Sequence, residues 1–286
     1  PAMVEARVSG PLASPEVSAD LAWQSPEVNG SRLEVVTASL AGTFDRLEWR
    51  LEVEPVRGSR VAASGRAEPR AGRAAGEWLV EAPELPELAA LAPSASDLPL
   101  GGSLRGGGGF LVGDGTWAVT GILEGRRLTW AEWCVDDLRV EVEADPETVR
   151  VRSLEAGFAG ATLRGNGESG LSGVDAEVAA RLELEGLDLT RLPLELPPQT
   201  AGTVSARLDL TGTVARPVAE LVVDWAPQSG DGPVGLVRVR AALADGVLHA
   251  FAERLDTAAG PVAAEATLPL GGFARPAWLW PDAPTG

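Results

Sequence analysis

Lysine and tyrosine are absent from this 286-residue chain, and histidine, methionine and cysteine occur once each. All 24 basic side chains are therefore arginines, and 41 acids outnumber them to leave a formal charge of −17. Such a surface repels phosphate backbones and gains nothing from anionic headgroups, which argues against nucleic-acid binding and against electrostatic docking on a membrane. Cys134 alone cannot form an internal disulfide and is compatible with any redox compartment. No apolar run approaches the length of about 18 residues expected of a membrane-spanning helix. The N-terminus lacks the basic and apolar regions of a signal peptide. The chain, running from Pro1 to Gly286, reads as a segment of a longer protein, with any anchor or export signal outside it.

Groups that could carry chemistry are scarce. His249, in VLHAF, has no nucleophile or orienting acid at triad spacing. Cys134, in TWAEWCVDD, has acidic neighbours rather than the basic ones that activate a thiol, and reads as a buried or half-buried strand residue. The run Gly106 to Gly109 lacks the Gly-Lys-Ser/Thr of a phosphate loop and reads as a flexible strand start. Asp136 with Asp137, and Asp245 with Glu253, do not match the ligand spacing of a calcium loop and are expected to be solvated. The expectation is a protein with no catalytic residue, no metal site and no cofactor.

What the chain does have is alternation. Leu47, Trp49, Leu51 and Val53 interleave with Glu48, Arg50, Glu52 and Glu54. Leu138, Val140 and Val142 interleave with Arg139, Glu141 and Glu143, and Val149 and Val151 with Arg150 and Arg152. The period continues at Leu182 and Leu184, at Val204, Leu208 and Leu210, at Leu221 and Val223, and at Val237 and Val239. Period two gives each strand one apolar and one charged face. Turn signals at GDG (Gly113), GNG (Gly165) and SGDGP (Ser229), with 34 Gly and 22 Pro overall, suit antiparallel hairpins rather than helical crossovers.

Two Leu- and Pro-rich connectors, 84–102 and 187–202, suit short helical turns and divide the chain into β repeat units 1–83, 103–186 and 203–286 of one continuous domain. The first and third units open on one phrase. Gly10, Pro15 and Trp23 recur as Gly212, Pro217 and Trp225, an offset of 212 − 10 = 202. Trp23, Trp49, Trp117 and Trp225 fall on alternating strands, and Trp130 and Trp133 flank a hairpin. They suit either an ordinary core or an apolar surface open to a ligand.

A one-sided apolar sheet hides that face against a second sheet, by closing into a barrel, or by curling around something other than itself. Few aromatics and short strands disfavour a membrane barrel. The phrase LDLTRLPLELPPQTAGTVSARLDLTGTVARPVAELVVDW, with DPETVRVRSLEAGFAGATLRGNGE before it, resembles the repeat of the TamB/AsmA-like family, the translocation and assembly module proteins of the bacterial envelope. The resemblance covers nearly the whole chain.

It implies an all-β fold: an elongated, repeat-built, mostly antiparallel curled sheet, an open trough or β-taco with short helical insertions between repeats. It also implies a periplasmic location, with an inner-membrane anchor elsewhere in the full protein. The expected function is phospholipid transport between membranes, assembly of outer-membrane proteins, or both. Expected partners are phospholipid acyl chains, an outer-membrane barrel assembly protein and client β-strands. The expected lipid-groove lining is the set of apolar alternating residues named above. A structural or adhesive β-solenoid with a closed core is the rival reading. A glycan-binding or hydrolytic β-protein would need exposed Trp beside paired carboxylates, a pairing the sequence does not display.

Overall fold

The computed structural model describes residues 2–12, 14–28, 31–86, 100–173, 175–194, 201–229, 232–233, 235–257, 260–261 and 264–269. The chain is all-β, and its strands group into two compact units, Pro1–Ala159 and Gly160–Gly286. This division falls within the middle of the three sequence units.

In the first unit ten strands follow one another: β1 (Ala2–Ser9), β2 (Glu16–Gln24), β3 (Val35–Thr43), β4 (Arg46–Glu54), β5 (Arg60–Glu68), β6 (Arg73–Ala82), β7 (Leu100–Gly113), β8 (Thr116–Trp130), β9 (Trp133–Ala144) and β10 (Thr148–Phe158). Each pairs antiparallel with the next, and no pairing joins β1 to β10 among the described residues. The sheet is an open meander, as short turns between consecutive strands require.

The second unit repeats the scheme with β11 (Ala161–Gly170), β12 (Val178–Asp188), β13 (Gly202–Gly212), β14 (Pro217–Ser229), β15 (Val237–Ala244), β16 (Val247–Thr257) and β17 (Glu265–Pro269). Here too every described pairing between these strands is antiparallel and sequential, and β11 does not meet β17.

The repeated phrase is a hairpin. Gly10 and Gly212 close strands β1 and β13 with φ of +87° and +100°, a conformation that glycine adopts without steric cost. The strands that follow return in one register: Trp23 lies opposite Ala2 and Trp225 opposite Val204, Leu21 opposite Val4 and Val223 opposite Ala206. Position and pairing both carry over with the offset of 202 residues, so the two hairpins are the same structural unit.

Several expectations are corrected. Connector 187–202 holds the expected short helical turn, a 3₁₀ turn at Leu189–Arg191 capped by the Asp188 carboxylate, but its bounds differ: Leu187 and Asp188 end β12, Gly202 opens β13, and 195–200 lie outside the described residues. Of connector 84–102, Leu85 and Pro86 are helical, in line with the expected helical turn, but Leu100 to Gly102 already belong to β7, and 87–99 lie outside the described residues. A second 3₁₀ turn, Pro69–Ala71, stands between β5 and β6, where no insertion was expected. Gly106 to Gly109 are not a flexible start but the middle of β7, paired to β6 and β8. The GNG at Gly165 is no turn either; it lies inside β11 opposite Leu182, Arg181 and Ala180. In both cases glycine serves close packing on the sheet rather than chain reversal.

Among the described residues five register shifts of the β-bulge kind interrupt the ladders. Each inserts one residue and so restores the face that strict alternation would lose. Leu184 and Leu187, three apart, face Ala206 and Val204, two apart; Val151 and Leu154 likewise face Val142 and Val140.

Candidate functional site

Residues directly opposite one another in an antiparallel pair share a face, so the registers trace the apolar side of each unit. In unit 1 one row runs Leu21, Ala38, Leu51, Ala63, Trp78, Gly108, Gly121, Val142 and Val151 from β2 to β10. The adjacent row carries Trp23, Val36, Val53, Val61, Val80, Gly106, Leu123, Val140 and Leu154. Leu47 and Trp49, Leu138 and Val149 fall on the same face by the same pairings. In unit 2, Leu182, Leu208, Leu221 and Ala241 form one row, and Leu184, Ala206, Val223 and Val239 the next. Val204 and Val237 flank Trp225, and Leu210 faces Ala180 and Ala219. Within each unit the expected lining residues therefore share one surface. Sequence alternation missed the glycines, Phe110 and Leu123, because β7 and β8 have no charged residue at most outward positions to mark the period.

This surface has little over it. Among the described residues the buried hydrophobic side chains are Ala82, Ala156, Ala161, Ala176 and Leu243, four of them alanines. Most of the row residues are half-buried, and Leu51 and Val61 remain 40% and 36% exposed. Large side chains packed against a second layer would be far more deeply buried. Among the described residues nothing in either unit takes the place of that layer.

The opposite face is charged and carries ion pairs between neighbouring strands. In unit 1 Glu52 pairs with Arg60 at 2.8 Å, Glu143 with Arg152 at 2.7 Å, and Glu124 on β8 bridges Arg105 on β7 and Arg139 on β9. In unit 2 Asp224 takes both arms of Arg238, at 2.6 and 2.8 Å. The Arg105 hydrogen bond, with further help from Arg139, holds Glu124 below the usual carboxylate range, and Arg238 does the same for Asp224. Exposed pairs of this kind stabilise by about 0–1 kcal/mol each. Their effect is to keep that face polar.

A different carboxylate fixes a turn. Asp145, between β9 and β10, accepts backbone N–H groups from Glu147 and Thr148, both at 2.8 Å, and these bonds depress its pKa. A depressed pKa means that the stabilisation is present above the unfolded aspartate value, about 3.9, and is lost as pH falls through the folded one. Urea midpoints measured from pH 5 down to 2 should therefore fall less steeply for Asp145→Ala than for the parent chain; an unchanged slope would remove the turn from the acid response.

Residues singled out for chemistry are not brought together. Cys134 is exposed, not buried, on β9 opposite Thr129. His249 is exposed on β16, its Nδ1 3.3 Å from Thr267 Oγ1. Asp136 and Asp137 are exposed on β9, and Asp245 sits in the β15–β16 turn at φ +50°. No group of three His, Cys, Asp or Glu residues is arranged to hold a metal among the described residues. Of the tryptophans, Trp133 stacks on Phe158 at 5.6 Å, while Trp130 is 62% exposed. No described helix is long and apolar enough to cross a membrane.

No family model, curated protein or solved structure matches this chain.

Proposed function

We propose that the chain is a repeat segment of a TamB/AsmA-like envelope protein whose apolar sheet face carries phospholipid acyl chains across the periplasm between inner and outer membranes. The observation that carries this reading is the continuous, half-exposed apolar face within each unit, backed by a face of ion pairs. Acyl chains fit such a face energetically. Each methylene taken from water is favoured by about 0.8 kcal/mol, so a 16-carbon chain held along the rows avoids a cost of order 10 kcal/mol. Rows of Val, Leu and Ala offer no deep local minimum, so a chain can slide along them. The work calls for no catalyst, metal or cofactor. An inner-membrane anchor and an outer-membrane barrel partner would belong to the rest of the protein.

Assembly of outer-membrane proteins is the second function that the resemblance implies; there an extended client strand would add to an open sheet edge through backbone hydrogen bonds. A scaffold with a closed core is the alternative to both.

Photo-crosslinking residues placed at Val140 and Val151, and on the charged face at Glu141 and Arg150, test the first reading in the full-length protein in cells. Mass spectrometry should find phospholipid attached at the apolar pair and none at the charged pair. Equal labelling of the two faces, or none at either, would reject lipid carriage and leave the scaffold.

A further inference from the structure

Six glycines stand on the apolar face of the central strands of unit 1: Gly65 on β5, Gly76 on β6, Gly106 and Gly108 on β7, and Gly121 and Gly125 on β8. Glycine weakens a strand, so a cluster in the middle of a sheet calls for a reason. Gly65 and Gly108 lie against the backbone of the next strand, Gly106 and Gly125 against Leu123 and Leu128, and Gly76 and Gly121 against aromatic rings. A Cβ added to Gly76 would press on the Ser64 carbonyl oxygen and come within 2.7 Å of Phe110 Cζ, and one on Gly121 would come within 3.0 Å of Trp78 Cη2 and closer still to Cζ2. Trp78 therefore leaves β6, crosses Gly108 of β7 and rests on β8, where its Nε1 donates to the Thr120 carbonyl oxygen at 3.2 Å. Phe110 leans the other way, over Gly76. Its ring meets that of Trp49 at a centroid distance of 5.8 Å, although β4 and β7 are three strands apart, about 14 Å at the usual spacing.

A ring laid flat on glycine forms part of a floor, whereas a ring held upright stands in the space above it. We infer that Gly121 and Gly76 set the depth of the apolar trough in unit 1 by letting Trp78 and Phe110 recline, which keeps a passage for an acyl chain over the middle of the sheet. The two glycines are positioning residues that act through the rings above them. This rests on the acyl-chain reading. It adds to that reading the side chains that set the depth over the central strands. A methyl group at Gly121 has no room beneath the indole, so the indole must rise, and overpacking of this kind is not relieved by small adjustments of a paired strand.

The test uses binding of a pyrene-labelled 16-carbon fatty acid to the purified chain, with circular dichroism as the control for folding. Gly121→Ala should weaken uptake about tenfold or more, and Gly121→Ala combined with Trp78→Ala should restore it to within about threefold of the parent. A truncation that merely damaged the sheet would not rescue. Folded Gly121→Ala that binds as the parent does, or a folded double variant that stays weak, overturns the inference and leaves the acyl-chain reading standing. A parent chain that takes up no probe overturns both. If Gly121→Ala does not fold, Trp78→Ala alone decides: uptake about threefold tighter or more supports a floor that the indole limits, and unchanged or weaker uptake rejects it.

Discussion

Leu243→Ala is expected to destabilise unit 2 by about 2–5 kcal/mol, whereas Leu51→Ala should cost unit 1 about 1 kcal/mol or less. The two substitutions remove the same atoms from the same kind of position, the apolar face of an antiparallel strand. They differ in what surrounds those atoms. Leu243 is 8% exposed, opposite Ala219 and Leu248, and is the one large aliphatic side chain among the buried hydrophobics of the described residues. Leu51 is 40% exposed and has Ala38 and Ala63 opposite it. Truncating the first leaves a cavity as well as lost transfer energy; truncating the second removes surface that water already reaches. Urea titrations of both variants check the difference. Equal losses would mean that the apolar face is covered along its whole length, and with it the case for an open trough would fail.

Gly202→Ala should be strongly damaging, with a loss of about 3 kcal/mol or more from strain and overpacking together. Gly202 is buried at the start of β13 with φ at +147°, where a side chain is strained whatever the space around it. The space is also taken. An added Cβ would press on the Ala226 carbonyl oxygen and come within 2.9 Å of both Pro227 Cα and Trp225 Nε1. Gly115→Ala is the control. That glycine also has a positive φ, +75°, but its Cβ would meet nothing within 4 Å, so only the backbone penalty of about 1 kcal/mol applies. Thermal or urea unfolding should rank Gly202→Ala well below Gly115→Ala; similar values would show that the contacts of Gly202 relax without cost.

Both predictions concern features that a linear reading passes over, and the corrections have the same origin. Gly165 and Gly167 carry the signature of a turn, yet Leu182 folds over the first and Ala180 presses on the second, so the segment continues as β11. A missing side chain looks the same in a sequence whether it frees the backbone or makes room for a neighbour. Ser153 sits where alternation from Val151 would place an inward residue; the bulge at Arg152 moves that role to Leu154. Cys134 lies between apolar residues and was expected to be buried or half-buried, but the register sets it opposite Thr129, on the face away from Val135 and Leu128, where it is exposed.

The amino-acid sequence by itself determined the all-β character, the charged and apolar faces, and the repeated hairpin, including the offset that the register reproduces. These are local properties: period two follows from the pleat, and a turn glycine acts on the residues beside it. Tertiary structure alone decided which residues oppose one another, where bulges reset the faces, which glycines lie under which rings, and that no covering layer lies over the apolar rows among the described residues of each unit. Those depend on strands distant in the chain and on the absence of a second surface, and no pattern within one strand encodes either.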